Sequence, residues 1–263
     1  MIAVVRGGGD LGSGIALRLR HSGYKVIVTE IAQPIVLRRT VAFANAIYEN
    51  GMTVEDIISR IATNITDIAI LLDEEIIPVV IDPNLTLVDQ IEYDVLVDAR
   101  MLKVFTELTL NLRPMLIGIG PGFIVNKNCH AAIETNRGHF LGRVLWDGTP
   151  EKNTGIPGKI DNLDLERVIR APVSGFINSG STLGKLVNKG DIIGYISNVP
   201  IIASIDGCLR GLMHDGIYVE KGVKIGDLDP RMDPHLIKFV SEKSLAIAGG
   251  VLEATLSYFH TIK

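Results

Sequence analysis

Residues 2–14 read IAVVRGGGDLGSG. Ile2 to Val5 form a short apolar strand. A run of glycines follows, and then Leu11, Ile15 and Leu19 recur at helical spacing through His21. The pattern G-x-G-x-x-G falls on Gly7, Gly9 and Gly12. Strand, glycine turn and helix in that order open a βαβ unit. Its glycines permit a tight turn and close backbone approach, and its helix N-terminus offers amides to a phosphate. Lys25 to Thr29 read as a second strand. Glu30 ends it eighteen residues past Gly12, where an acid accepts hydrogen bonds from a ribose.

One residue opposes this reading. Asp10 sits inside the loop, and a carboxylate beside a phosphate is repulsive without an intervening cation. Two accounts stay open. Asp10 caps the helix, which stabilises it by about 1 kcal/mol, or Arg6, Arg38 or Arg39 supplies the missing positive charge. Arg38 and Arg39 otherwise form a solvated basic patch.

Outward from the loop, strand and helix alternate. Asp67–Asp73 reads as helical, and Pro78–Ile81, Tyr93–Val97 and Met115–Ile119 as strands; 53–61 fits either. Short β-branched runs between helical segments indicate a parallel sheet with both faces covered. A second glycine turn, Gly118-Ile119-Gly120-Pro121-Gly122, directly follows an apolar strand. It is expected at the same sheet edge as the first, either as an anion-binding nest or as a structural turn. Beyond it, His130 and Glu134 are four apart and are placed on one helix face. Glu134, Arg137 and His139 are candidates for acid–base chemistry or ligand contacts, against the alternative of capping and ion pairs. No metal site is assigned. Cys129 reads as a small buried hydrophobe.

The C-terminal half carries a gapless repeat. Residues 171–196 superpose on 203–228 at an offset of 32, aligning Gly175 with Gly207, Gly184 with Gly216 and Lys189-Gly190 with Lys221-Gly222. One supersecondary unit is used twice, which suits a small pseudo-twofold β-sandwich. This resembles the barrel-sandwich hybrid of biotinyl and lipoyl carrier domains. Those carriers modify a lysine on the hairpin between the halves; here that stretch, Ser197 to Ile202, contains none. A docking or structural module is expected instead. From Ser241 to Phe259 the tail reads as an amphipathic helix. Gly249-Gly250 in its middle cost about 1 kcal/mol each relative to alanine, which suggests close packing.

The chain has 263 residues, 47% apolar and 21% charged, with a net charge of −4. That length suits two domains, and the negative charge gives no electrostatic support for nucleic-acid binding. Two cysteines in no spaced motif fit a reducing, cytoplasmic setting. No signal peptide and no membrane span are read. Asp147 to Lys159 is rich in Gly, Pro, Asn and Thr and marks a linker. The expected division is a Rossmann-like α/β domain over 1–146, a linker over 147–167, the β module over 168–230, and 231–263 packing back on the body. No G-x-S-x-G elbow, Walker loop or H-E-x-x-H occurs.

Taken in order, RGGGDLGSG (6–14), RRTVAF (38–43), GIGPGF (118–123), ETNRGH (134–139), NTGIPG (153–158), RAPVSG (170–175) and KGVKIGDLDPR (221–231) span nearly the whole chain. With these motifs the chain resembles the selenium-dependent molybdenum hydroxylase system proteins, accessory proteins for bacterial molybdenum enzymes. Gly12 stands where alanine often occurs in that family, a departure that leaves the fold reading intact. The resemblance implies an accessory factor in cofactor or selenium insertion, with a molybdenum hydroxylase or another maturation factor as partner. Beside it, the two glycine turns carry the expectation of a small anionic ligand, NAD(P) or a molybdopterin nucleotide. A homo-oligomer is left open. Two other readings are an NAD(P)-dependent oxidoreductase and a scaffold with an empty glycine loop.

Overall fold

The computed structural model describes residues 1–105, 110–111, 114–152 and 166–261. Residues 153–165, which hold most of the expected linker and the NTGIPG motif, lie outside them. Two compact units cluster from the contacts: Met1–Pro34, Val41–Thr154 and Val240–Lys263 as unit 1, and Ile35–Thr40 with Gly155–Phe239 as unit 2. The segment 231–263, expected as one tail, is divided at residue 240.

Unit 1 is an α/β unit. Among the described residues it runs β1 (Ile2–Arg6), α1 (Asp10–His21), β2 (Lys25–Glu30), α2 (Ala46–Glu49), β3 (Gly51–Val54), β4 (Ile57–Ala62), α3 (Ile65–Asp73) and β5 (Ile77–Ile81). It continues through β6 (Val95–Asp98), β7 (Met115–Ile119), β8 (Ala131–Ile133) and β9 (Val144–Leu145), and ends in α4 (Glu242–Thr261). The nine strands form one sheet in the order β3-β4-β5-β2-β1-β6-β7-β8-β9. From β4 to β8 every pairing is parallel; only the terminal pairs β3–β4 and β8–β9 are antiparallel. The ambiguous segment 53–61 is a hairpin, turned at Glu55 with φ 55°.

Alternation along each strand explains the layering. Ala3 and Val5 face a core with Ile15, Leu19, Ile247 and Val251 of α1 and α4. Val4 and Leu96 face the opposite core with Ile68, Leu71 and Leu72 of α3. Each fully buried aliphatic of this kind contributes about 1.5–3 kcal/mol. Of the two mid-helix glycines in α4, Gly250 has a packing reason: a Cβ there would meet Gly142 O at 2.1 Å, whereas at Gly249 nothing lies within 4 Å.

Unit 2 holds β10 (Val168–Arg170), β11 (Gly175–Asn178), β12 (Leu186–Val187), β13 (Ile192–Ile196), β14 (Val199–Ile202), β15 (Gly207–Leu212), β16 (Tyr218–Val219) and β17 (Lys224–Asp229). They make two four-stranded sheets, β10-β17-β15-β12 and β14-β13-β11-β16. The offset of 32 carries β11, β12 and β13 onto β15, β16 and β17, and β10 onto β14. Applying it in both directions converts one sheet order into the other. Each sheet therefore draws strands from both copies of the repeat.

Residues 35–40 belong to this unit. Leu212 N donates to Leu37 O (2.9 Å), and the Arg39 guanidinium donates back to Leu212 O (2.9 Å). The Arg38 guanidinium donates to Phe239 O (2.8 Å) and the residue is 7% exposed. A solvated basic patch does not describe this pair. Their guanidiniums serve backbone carbonyls within unit 2, because the chain runs beside the end of β15.

Candidate functional site

In unit 1, the strand order places β1 at a switch point. The chain passes from β1 through β2 to one side of the sheet, and β6, β7 and β8 occupy the other. Ligands of open α/β sheets bind at the carboxyl edge of such a point. Because β1, β6 and β7 are parallel, the turns at 7–14 and 118–122 lie at that same edge.

The first turn is drawn tight. A Cβ on Gly12 would lie 1.8 Å from Gly7 O, and one on Gly8 would lie 2.8 Å from Val28 Cγ1 and 2.9 Å from Ala44 N. Gly7 has φ +99°, where only glycine is unstrained. Ser13 Oγ donates to Gly8 O (2.9 Å) and accepts from Phe43 N (2.8 Å), tying the turn to the segment after β2. Gly9 is the N-cap of α1, and Asp10 is its first helical residue. Asp10 is therefore not the N-cap; its acid lies in the first turn, where it complements the helix dipole.

Glu30 is engaged. Its carboxylate accepts from Gly8 N (2.8 Å) and from Ile31 N (2.9 Å), so it braces the glycine turn. Each carboxylate oxygen keeps a further lone pair.

The second turn is equally closed. A Cβ on Gly118 would enter the Phe123 ring at 2.1 Å, and one on Gly122 would meet Val104 O at 2.5 Å. Gly120 has φ +109°.

Between the turns lies a charged row of which the sequence reading named Arg6 and missed Asp98 and Arg100. Arg6, Asp98 and Gly118 are register partners across β1, β6 and β7, with Thr29 beside Arg6. Asp98 is fully buried and held bidentately by Arg100 (Nε 2.9 Å, Nη2 2.6 Å); Arg6 lies 3.8 Å away and donates to Pro83 O. Burial, then the field of Arg100, lowers the Arg6 guanidinium from its ordinary value. Arg100 also packs its Cγ 3.3 Å from where a Gly7 Cβ would be. An acid ending the strand VLVD was the available signal.

His130 and Glu134 flank β8 and do not share a helix face. The His130 ring accepts from Leu116 N through Nδ1 (2.9 Å), and burial holds it below the usual histidine range. Glu134 is buried and accepts three backbone amides: Thr135 N (2.7 Å), Asn136 N (2.7 Å) and Glu151 N (2.8 Å). Arg137 pairs with Glu242, and the exposed His139 ring stacks edge-on to Phe140. The three candidates are not gathered into an acid–base constellation. Cys129 is fully buried, and that burial pushes its thiol up to about 12.

A further missed residue is Lys243, in the first turn of α4. Ser244 Oγ donates to Asp10 O (2.8 Å), bringing the first turns of α1 and α4 together. Lys243 stands in the fields of Asp10, Glu134, Arg137 and Glu242. Its own burial, then Arg137, lowers its ammonium from the usual lysine range, against the pull of the three acids. Nothing in the sequence around Lys243 marks it. A separate cleft, lined among others by Met1, Asp89, Tyr93 and Pro114, opens at the amino edge, away from both turns.

No family model matches the chain. It is 45% identical over 259 residues to the Uncharacterized protein YqeB of Escherichia coli K-12, an alignment covering 98% of this chain and 48% of that protein. The chain thus spans about half the length of the curated relative it matches. Two solved structures overlap weakly. An aspartoacylase family protein from Mesorhizobium loti gives a TM-score of 0.29 at 10% identity, over 86% of this chain and 84% of that one. A succinylglutamate desuccinylase/aspartoacylase from Rhodobacter sphaeroides gives 0.25 at 12%, over 86% and 85%. Scores this low carry no argument. Among the described residues no helix is long and apolar enough to cross a membrane.

Proposed function

We propose that unit 1 is a Rossmann-like module that binds a phosphate-bearing cofactor at the carboxyl edge of β1. We further propose that unit 2 is a barrel-sandwich hybrid used for docking. The protein then acts as an accessory factor, inserting cofactor or selenium into a molybdenum hydroxylase or serving another maturation factor. The resemblance of its ordered motifs supports that process.

The observation that carries the ligand site is the Gly7–Gly12 contact at the switch point. A turn that only glycine can make leads directly into α1, and Gly7, Gly9 and Asp10 are partly exposed there. NAD or a molybdopterin nucleotide fits this turn better than NADP. Glu30 can accept a ribose hydroxyl on a remaining lone pair, but its charge opposes a 2′-phosphate. Such a cofactor would supply either redox chemistry or the molybdenum-binding group; the chain's own residues hold and orient it.

A scaffold with an empty loop is the second reading. It is favoured by one observation, the engagement of Glu30 with Gly8 N and Ile31 N. The oxidoreductase reading loses support, because Glu134 is committed to three amides. Titrating NAD, NADP, ATP, CTP and a molybdopterin nucleotide in a thermal-shift assay separates the readings. A bound cofactor at 100 times its Kd adds about 2.7 kcal/mol of stability. No shift with any of them leaves the scaffold.

A further inference from the structure

We propose that Lys243 is the cation of the phosphate site, reaching the glycine turn from α4 and contacting a phosphate group of the bound molecule. This rests on the reading of unit 1 as a phosphate-binding module and adds the residue that neutralises the anion.

Four observations carry it. First, Lys243 is placed by a fixed contact. Ser244, the next residue, donates to Asp10 O at 2.8 Å, and a Cβ on Gly14 would meet Ser244 Oγ at 2.5 Å. The first turns of α1 and α4 therefore touch, and Lys243 is held beside the loop at 7–14. Second, Lys243 is only partly exposed, and among the described residues its ammonium makes no hydrogen bond and no ion pair. A desolvated, unpaired charge is costly unless something compensates it. Third, the carboxylates in its field also have other partners. Glu134 accepts three backbone amides, and Glu242 is paired with Arg137. Asp10 remains in the field of Lys243. Fourth, the two glycine turns lie at the same carboxyl edge. Turn amides with one lysine as a point charge are the combination that recognises phosphate. The burial-driven lowering of the Lys243 ammonium agrees with this arrangement, and an arriving phosphate would reverse it.

The phosphate could be that of a nucleotide or a free phosphate, so the test carries both. Inorganic phosphate, ADP and NAD are titrated calorimetrically at pH 7 against the intact chain, Lys243→Met and Lys243→Arg. In parallel, the acylation of Lys243 by an amine-directed reagent is followed by peptide mass spectrometry, with and without each probe. The expected result is binding to the native chain, weakened about tenfold or more in Lys243→Met and largely kept in Lys243→Arg. The bound probe also protects Lys243 from acylation. Binding of inorganic phosphate alone points to free phosphate as the source, and tighter binding of ADP or NAD points to a nucleotide. Equal affinity for Lys243→Met overturns the role of Lys243 and leaves the nucleotide reading standing. No binding by any probe to the native chain overturns both. If Lys243→Met does not fold, the acylation experiment on the native chain decides alone: a bound probe that leaves Lys243 fully reactive overturns the proposal.

Discussion

Ser244 donates its hydroxyl to the carbonyl oxygen of Asp10 at 2.8 Å, joining the start of α1 to the start of α4. The helices approach closely because residue 14 is glycine: a Cβ there would lie 2.5 Å from Ser244 Oγ and 2.9 Å from Ser244 Cβ. Gly14→Ala should therefore cost about 1–3 kcal/mol by overpacking. Ser244→Ala should cost about 1 kcal/mol by losing the hydrogen bond. The double variant should not recover, since the Cβ at 244 remains. Urea midpoints at unchanged m-value measure all three.

Asp98 is the hub of the charged row. Its side chain is 1% exposed and serves Arg6 and Arg100 together. Removing one partner of a buried pair leaves the other charge uncompensated. Asp98→Ala should cost about 3–5 kcal/mol. Asp98→Leu should fare no better, because Arg6 is itself largely buried. A urea midpoint for either variant close to that of the native chain would show that Arg6 finds another counter-ion.

His130 gives unit 1 a pH dependence. Its Nδ1 must stay unprotonated to accept from Leu116 N, and burial lowers the folded-state value below that of the unfolded chain. The unfolded state then binds more protons between the two values, so stability rises with pH across that window. It is lost as pH falls below about 6.5 towards the folded value. His130→Gln should flatten this acid limb of a stability-versus-pH profile, at the cost of some stability near neutrality.

In unit 2 the turn between the two repeat copies is made by Ser197 (φ 46°) and Asn198 (φ 68°), between paired strands β13 and β14. Two positive φ values in a two-residue hairpin are the type I′ geometry. Asn198→Gly should be neutral or stabilising, and Asn198→Val should cost about 1–2 kcal/mol. With no lysine in this turn, the intact mass of native protein should show no biotinyl or lipoyl adduct.

What the sequence disclosed depended on the range of the signal. Met115–Ile119 was legible to the residue because a buried parallel strand is a continuous apolar run with glycine behind it. The offset of 32 was legible because spaced glycines survive where side chains diverge. His130–Glu134 misled: a three-residue buried strand is too short for its period to be told from a helix. Arg38 and Arg39 misled because nothing local says that an arginine pair will find carbonyls more than 170 residues away. Lys243 escaped for the same reason, since its charged neighbours are set by tertiary contact; Arg100 pairs with Asp98 only two residues away, but nothing in the sequence shows that the acid ending β6 is buried.

Asp10 poses the sharpest test of the site. It lies in the first turn of α1 and in the field of Lys243, so it both complements the helix dipole and opposes an incoming anion. Asp10→Asn removes the charge while keeping the shape. The helix should lose about 0.3–1 kcal/mol, the worth of an acid at a helix N-terminus. Phosphate-bearing probes should bind more tightly, by roughly three- to tenfold, because a repulsion across a partly desolvated edge is removed while Lys243 keeps its charge. The opposite result has a physical meaning too. If Asp10→Asn weakens binding, Asp10 holds Lys243 in position, and Asp10→Asn should then match Lys243→Met in affinity without adding to it in the double variant. Calorimetric titration of ADP and NAD against Asp10→Asn, Lys243→Met and the pair distinguishes the two. Tightening in Asp10→Asn that disappears when Lys243→Met is added is the expected outcome.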